Sequence, residues 1–149
     1  MSLTDRRAAI GAVNRANDRL RQAIMQANEE NLESLSEVWQ GKAFTLIEDF
    51  ALDMNQRYAQ PLQVSYRYIN PPAIDETSVP GQIVVTTTEE WTYGGSSNGV
   101  RETLEFIYTV TPIEGEWAIA RYSYRNLPRP RTPAPAATIT PTPVSTLEY

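Results

Sequence analysis

Cysteine and histidine are both missing from this chain of 149 residues, and lysine occurs once against 12 arginines. Without cysteine there is no disulfide framework, no thiol nucleophile and no thiolate metal site. Without histidine there is no Ser-His-Asp or Cys-His nucleophile, and most transition-metal sites lose their usual ligand. Long apolar runs are missing too, since no stretch approaches the roughly 18 residues of a membrane span. Met1 to Leu20 carries Arg6, Arg7, Arg15 and Arg19 with no continuous apolar run behind them, which is not the pattern of a signal peptide. No Asn-x-Ser/Thr acceptor occurs. The expectation is a soluble segment with no direct membrane insertion. It is cytoplasmic if the chain is complete and belongs to the cell envelope if it is a piece of a larger protein.

What remains is ordinary for a globular domain, with 41% hydrophobic and 21% charged residues and a net charge of −5. The charge is unevenly spread. Arg6, Arg7, Arg15, Arg19 and Arg21 make the first helix basic, whereas Glu29, Glu30, Glu33, Glu37, Glu48, Asp49 and Asp53 make the next segment acidic. Two solvated helix faces that complement each other explain this, and recruitment of a basic partner is the alternative. An acidic chain is a poor match for phosphate contacts, so nucleic acid is not an expected partner.

Residues 5–28 repeat at helical spacing through Ile10, Val13, Leu20, Ile24 and Ala27, with Thr4 as the expected N-cap. A second helix is expected over 29–40, with Leu32, Leu35 and Val38 on one face and Gly41 ending it. A third runs over 42–59 through Phe44, Ile47, Phe50 or Ala51, Met54 and Tyr58, and Pro61 closes it. The period then changes to two. Leu62, Val64, Tyr66 and Tyr68 read as a strand that Asn70-Pro71-Pro72 breaks, leaving a loop over 70–80. Ile83 to Tyr93 is a long Val/Thr-rich strand, Gly94 to Gly99 a hairpin loop, and Leu104, Phe106, Tyr108 and Val110 a third strand. Glu114-Gly115 marks a tight hairpin before a last strand, Trp117 to Asn126.

The end of the chain differs in kind. Six of the 11 prolines lie at 128, 130, 133, 135, 141 and 143, with threonines between them. Such a segment cannot build a core. It reads as a disordered, extended tail or linker. The division is therefore 1–127 as the folded domain and 128–149 as the Pro/Thr-rich tail. Helices followed by strands in sequence argue an α+β fold, with three helices on a four-stranded antiparallel meander.

Several motifs carry a family resemblance. Ala27-Asn28-x-x-Asn31-Leu32-x-x-Leu35, then Gly41 and Ile47, is similar to the helical half of the nuclear transport factor two-like α+β cone superfamily, in particular of its plastid-division-type (IMS-like) members. Glu89-x-Trp91-x-Tyr93 resembles the Glu-x-Trp of their central strand, and Tyr108-x-Val110 with Gly115-x-Trp117-x-Ile119 resembles their closing hairpin. The resemblance spans about residues 8–126. It implies a strongly curved, cystatin-like sheet that embraces the helices. The superfamily contains non-catalytic binding domains and enzymes such as ketosteroid isomerase, scytalone dehydratase and polyketide cyclases, so fold alone does not assign function. Those enzymes place carboxylates, often with His or Tyr, in the cavity of the cone, and this chain has no His.

Glu89 and Glu90 are adjacent on a strand and point to opposite faces. Counting from Trp91, Glu89 shares a face with Thr87, Val85 and Ile83. A carboxyl buried there would titrate high and serve as a general acid or base. The structural alternative pairs it with Arg101 or Arg121 on a neighbouring strand. Tyr66, Tyr68, Tyr108, Tyr122 and Tyr124 supply phenols that can bind an oxyanion, or that simply pack as strand aromatics. Glu89 and Tyr108 are thus the catalytic candidates, and Tyr66, Tyr68, Trp91, Arg101 and Tyr122 the binding candidates. Asp49 and Asp53, one turn apart, are a minimal cation site or a solvated face. The Gly94–Gly99 loop has no Lys and precedes a strand, so it is no phosphate loop. Arg121, Arg125, Arg129 and Arg131 form a basic strip suited to an acidic partner or to the chain's own acidic helix. No cofactor and no metal is expected.

Three functional readings follow. The first is a non-catalytic protein-interaction or self-association module, with a protein partner or homodimer and a filled cone lacking convergent polar groups. The second is a small-molecule lyase or isomerase with an open cavity and an unpaired Glu89. The third is a carrier of a small apolar ligand.

Overall fold

The computed structural model describes residues 2–76, 81–94 and 99–128. The hairpin tip at 95–98, residues 77–80, and the Pro/Thr-rich segment from 129 with Arg129 and Arg131 lie outside the described residues. Helices α1 (Leu3–Met25), α2 (Glu29–Ser34) and α3 (Gly41–Arg57) precede strands β1 (Val64–Glu76), β2 (Ile83–Tyr93), β3 (Val100–Ile113) and β4 (Glu116–Asn126). The strands form one open antiparallel sheet in the order β1-β2-β3-β4. No described helix is long and apolar enough to cross a membrane.

Helix α1 begins at Ser2 and not at Thr4, because the Ser2 hydroxyl accepts the Asp5 amide at 3.0 Å. Its buried stripe is Ala9, Ala12, Val13, Ala16, Leu20, Ala23 and Ile24, whose four alanines let the helix lie close on the sheet. Asn17 sits in that stripe, fully buried. The expected second helix is shorter than predicted. It ends at Ser34, a 3₁₀ turn covers Leu35–Glu37, and the chain then runs extended through Trp39. There Ile119 N–H donates to the Val38 carbonyl at 2.7 Å and Gln40 N–H to the Ile119 carbonyl at 2.9 Å. The helix–helix link therefore caps part of the free edge of β4. Gly41, expected to end the second helix, instead opens α3 with φ of 57°, a left-handed conformation that favours glycine.

The predicted loop over 70–80 is overturned for residues 70–76, where β1 continues. Register shifts between Tyr68 and Asn70 and between Asn70 and Ala73 absorb Pro71-Pro72, and pairing resumes from Ala73 opposite Thr86 to Glu76 opposite Ile83. Proline is tolerated because β1 is an edge strand, where a missing N–H removes no ladder bond on the outer side. Strand β2 has the predicted bounds, and its burial alternates without exception. The Glu114-Gly115 hairpin is also as expected, with both residues at positive φ (52° and 85°), as a type I′ turn requires.

Candidate functional site

The inner face of β2 carries Ile83, Val85, Thr87, Glu89, Trp91 and Tyr93, all buried, as the alternation predicts. The β-sheet register sets Glu89 opposite Tyr68 on β1 and Leu104 on β3. Helix α1 crosses this face and brings Asn17 onto the carboxylate. The Glu89 side chain has no exposed surface.

Four donors converge on it. Thr87 Oγ1 and Tyr108 Oη donate to Oε2 at 2.5 and 2.6 Å, and Asn17 Nδ2 lies 3.3 Å from the same oxygen. Trp91 Nε1 donates to Oε1 at 2.8 Å. Every one of these donors is neutral. The expected pairing of Glu89 with Arg101 or Arg121 is replaced by this neutral cage. The arginine pairs lie on the outer face instead, Arg67 with Glu90 at 2.9 Å and Arg125 with Glu105 at 2.8 Å. The cage also corrects the expectation of an interior without convergent polar groups. It equally departs from the unpaired Glu89 of the enzyme reading.

Burial pushes the Glu89 carboxyl above its ordinary range, and the hydrogen bonds from Thr87, Tyr108, Trp91 and Asn17 pull it partly back. Tyr108 is held well above 10, first by burial and then by the adjacent Glu89 charge. A carboxyl that titrates higher in the folded than in the unfolded chain binds more protons when folded. Its contribution to stability is complete below the unfolded value near 4.5 and is lost as pH rises through the folded value. The stability difference between wild type and Glu89→Gln is therefore expected to fall as pH rises above about 4.5, by at most about 1.4 kcal/mol per pH unit. Urea unfolding at a series of pH values checks this, and a difference that stays constant across the series refutes it.

The cage extends toward the helix surface. Asn17 Nδ2 also lies 3.4 Å from Tyr68 Oη, which donates to Asn14 Oδ1 at 2.6 Å. Tyr66 donates to Asp18 at 2.7 Å and stacks on Trp91 with ring centroids 4.8 Å apart. Glu89, Tyr108, Trp91, Tyr68 and Tyr66 are thus brought together. Tyr122 is set apart, edge-on to Trp39 at 5.1 Å, and Arg101 is exposed opposite Thr92 on the outer face.

Asn17, Thr87 and Trp39 are the members that the sequence reading did not single out. Trp39 is fully buried, donates to the Ala16 carbonyl at 3.2 Å, and tilts against Tyr108 at 6.1 Å. Asn17 carried a usable signal, because it fills the gap between Val13 and Leu20 in the apolar stripe of α1. Among the described residues the Asp49 and Asp53 pair gathers no further ligand, and Asp53 is bound to Arg57 at 2.8 Å. Tyr93 is the one buried side chain whose polar atom has no partner among the described residues.

A cleft of about 700 Å³ lies between α1 and the α2 turn, with Arg19, Gln22, Glu29, Glu30, Glu33 and Glu37 among its lining residues. Arg19 spans part of it to reach Glu37 at 2.9 Å. The cleft does not touch the Glu89 cage.

No protein-family model matches the chain, and no curated protein matches it in sequence. Solved structures do match the fold. CagV, a VirB8 homolog of T4SS from Helicobacter pylori, aligns with a TM-score of 0.63 at 5% identity, covering 79% of this chain and 99% of that one. The intermembrane space region of the chloroplast protein ARC6 aligns at 0.50 with 19% identity, over 80% and 97% of the two chains. A candidate dehydratase of the NTF2-like family from Streptomyces avermitilis aligns at 0.53 with 14% identity, over 80% and 97%.

Proposed function

We propose, with the nuclear transport factor two-like fold as the premise, that this chain is a non-catalytic protein-interaction or self-association module. Its helix-on-sheet interior is a rigid support, and its contacts are made by the outer surface. The observation that carries this reading is the saturation of Glu89. An acid–base catalyst needs its carboxylate within reach of a substrate proton. Here the carboxylate has no exposed surface, and its two oxygens already accept from Thr87, Tyr108, Asn17 and Trp91. Trp39, Trp91, Tyr93 and Tyr108, all fully buried, fill the space around it. Likeness to a T4SS component adds support and goes with a cell-envelope setting. Residues 128–149 then serve as the tether.

One observation favours the lyase or isomerase reading. Tyr108 and Glu89 form a phenol–carboxyl pair at 2.6 Å, with the carboxyl titrating high, and a candidate dehydratase shares the fold. That chemistry requires the interior to open, as does carriage of an apolar ligand. Hydrogen exchange of the Trp91 indole N–H, followed by NMR, separates the readings. In a filled support this proton exchanges only with global unfolding. Exchange many times faster than global unfolding would show a cavity that opens in the native state, and the module reading would fall.

A further inference from the structure

At the end of the sheet where β2 stops and β3 starts, the inner face carries a carboxylate without a partner. Alternation on β3 places Glu102 on the side of Leu104, Phe106 and Tyr108, and its Cα partner is Trp91 on the inner face of β2. Glu102 is half-buried, and no hydrogen bond or ion pair engages it among the described residues. Arg67 and Arg125, which pair across the strands, are on the other face. Tyr93 stands opposite Val100, so Glu102 is its diagonal neighbour, with Cα atoms about 7–8 Å apart. The Tyr93 side chain is fully buried, yet its hydroxyl has no partner among the described residues. A buried hydroxyl in that state is costly. Burial and then the Glu102 charge push this phenol up, and the same two causes act in that order on Tyr58. Tyr58 stacks on Tyr93 with ring centroids 5.3 Å apart and is itself partly exposed.

A planar cation suits this corner. It can donate to the Glu102 carboxylate and to the Tyr93 oxygen while lying against the Tyr58 ring. A guanidinium has the shape, the permanent charge and the spare N–H groups for all three contacts. The chain carries two guanidiniums to this place. Leu127 N–H donates to the carbonyl of Thr103, the residue after Glu102, at 2.8 Å. The β3–β4 register, which pairs Asn126 with Leu104, brings Pro128 level with Glu102. Pro128 and Pro130 have no N–H to extend the ladder, and Arg129 and Arg131 flank Pro130. Each residue spans at most about 3.5 Å, so either arginine can reach Glu102 from Leu127.

We infer that an arginine of the segment Arg129-Pro130-Arg131 docks its guanidinium between Glu102, Tyr93 and Tyr58, so that the tether leaves the fold at Thr132. The inference says where the tether of the reading above begins, and it does not depend on the fold being non-catalytic. Trypsin tests it on the full chain. Trypsin cuts after arginine but not before proline, which leaves Arg131–Thr132 as the one tryptic bond in residues 128–149. Docking of either arginine keeps this bond out of the protease, and the cleavage rate then reports the undocked fraction. Each protein is compared with a free peptide of its own tail sequence. The wild type is expected to be cut about tenfold or more slower than its peptide. Glu102→Gln is expected to remove most of this protection. Tyr93→Phe, which deletes the acceptor hydroxyl, is expected to lower it severalfold. So is one of Arg129→Ala and Arg131→Lys, the second of which gives up the planar fork and is still cut. A wild type cut as fast as its peptide overturns the inference, including the case in which a partner's cation fills the corner. So does protection that survives Glu102→Gln, Tyr93→Phe or both arginine substitutions. Neither result alters Trp91 exchange, so failure here and failure of the filled-support reading are read separately.

Discussion

Glu89→Ala is expected to melt about 10 °C below the wild type and to regain part of the loss in acetate or formate. The substitution leaves Thr87, Tyr108, Trp91 and Asn17 directed at a space with no acceptor. Each buried donor without a partner costs about 1–3 kcal/mol. The variant is also spared the cost of burying a carboxylate, so a net loss of about 2–4 kcal/mol is expected. In a domain of this size that corresponds to the stated shift. The vacated space has the shape of a small carboxylate, and the donors stay in place on α1, β2 and β3. An added anion at about ten times its dissociation constant would return about 1.4 kcal/mol. Thermal melts with and without acetate, against chloride at equal ionic strength, decide the matter. Equal stabilisation of wild type and variant, or a variant as stable as the wild type, would sink the idea that Glu89 is held for its hydrogen bonds.

Trp39→Ala is expected to cost about 3–5 kcal/mol, the range for deleting a fully buried large aromatic side chain. Three contacts go together. The indole N–H leaves the Ala16 carbonyl, the ring leaves Tyr108 and Tyr122, and the extended link that bonds Ile119 loses its anchor. Trp39→Phe keeps most of the packing and gives up the N–H donor, so it should lose about 1–2 kcal/mol. Guanidinium unfolding gives both values. Amide exchange at Gln40 and Ile119 should rise in the Ala variant before the rest of the sheet is affected. An Ala variant within about 1 kcal/mol of wild type would mean that the link is held by its backbone bonds alone.

Much of this site is legible in the sequence because strands have a period of two. Placing Trp91 inside the fold fixes Glu89, Thr87, Val85 and Ile83 on the same side, and the structure follows that alternation throughout β2. Tyr108 is legible for the same reason on β3. Pairing is not, because it depends on which element crosses the sheet. An arginine was the expected partner for Glu89, yet α1 crosses with a stripe of alanines and delivers Asn17. Asn17 was visible only as a polar residue at a core position of a helix. The sequence reads Trp39 as lying near the end of a helix over 29–40, and helical periodicity there gives no sign that the chain leaves the helix after Glu37 and turns this ring into the core. The continuation of β1 beyond Asn70 was hidden by Pro71-Pro72, since local propensity reads two prolines as a break and cannot register that the strand lies at an edge.

That edge has a further consequence. An exposed strand edge is a template on which another chain can add, the first step toward fibril growth. At β1, Pro71 and Pro72 supply no N–H groups, and the two register shifts beside them bend the strand away from a flat row. At β4, residues Val38 to Gln40 already occupy the bonds of Ile119, and the stretch beyond carries Arg121 and Arg125. Both ends of the sheet therefore resist strand addition, so copies of this chain held at high local concentration would meet through side chains without the sheet being extended.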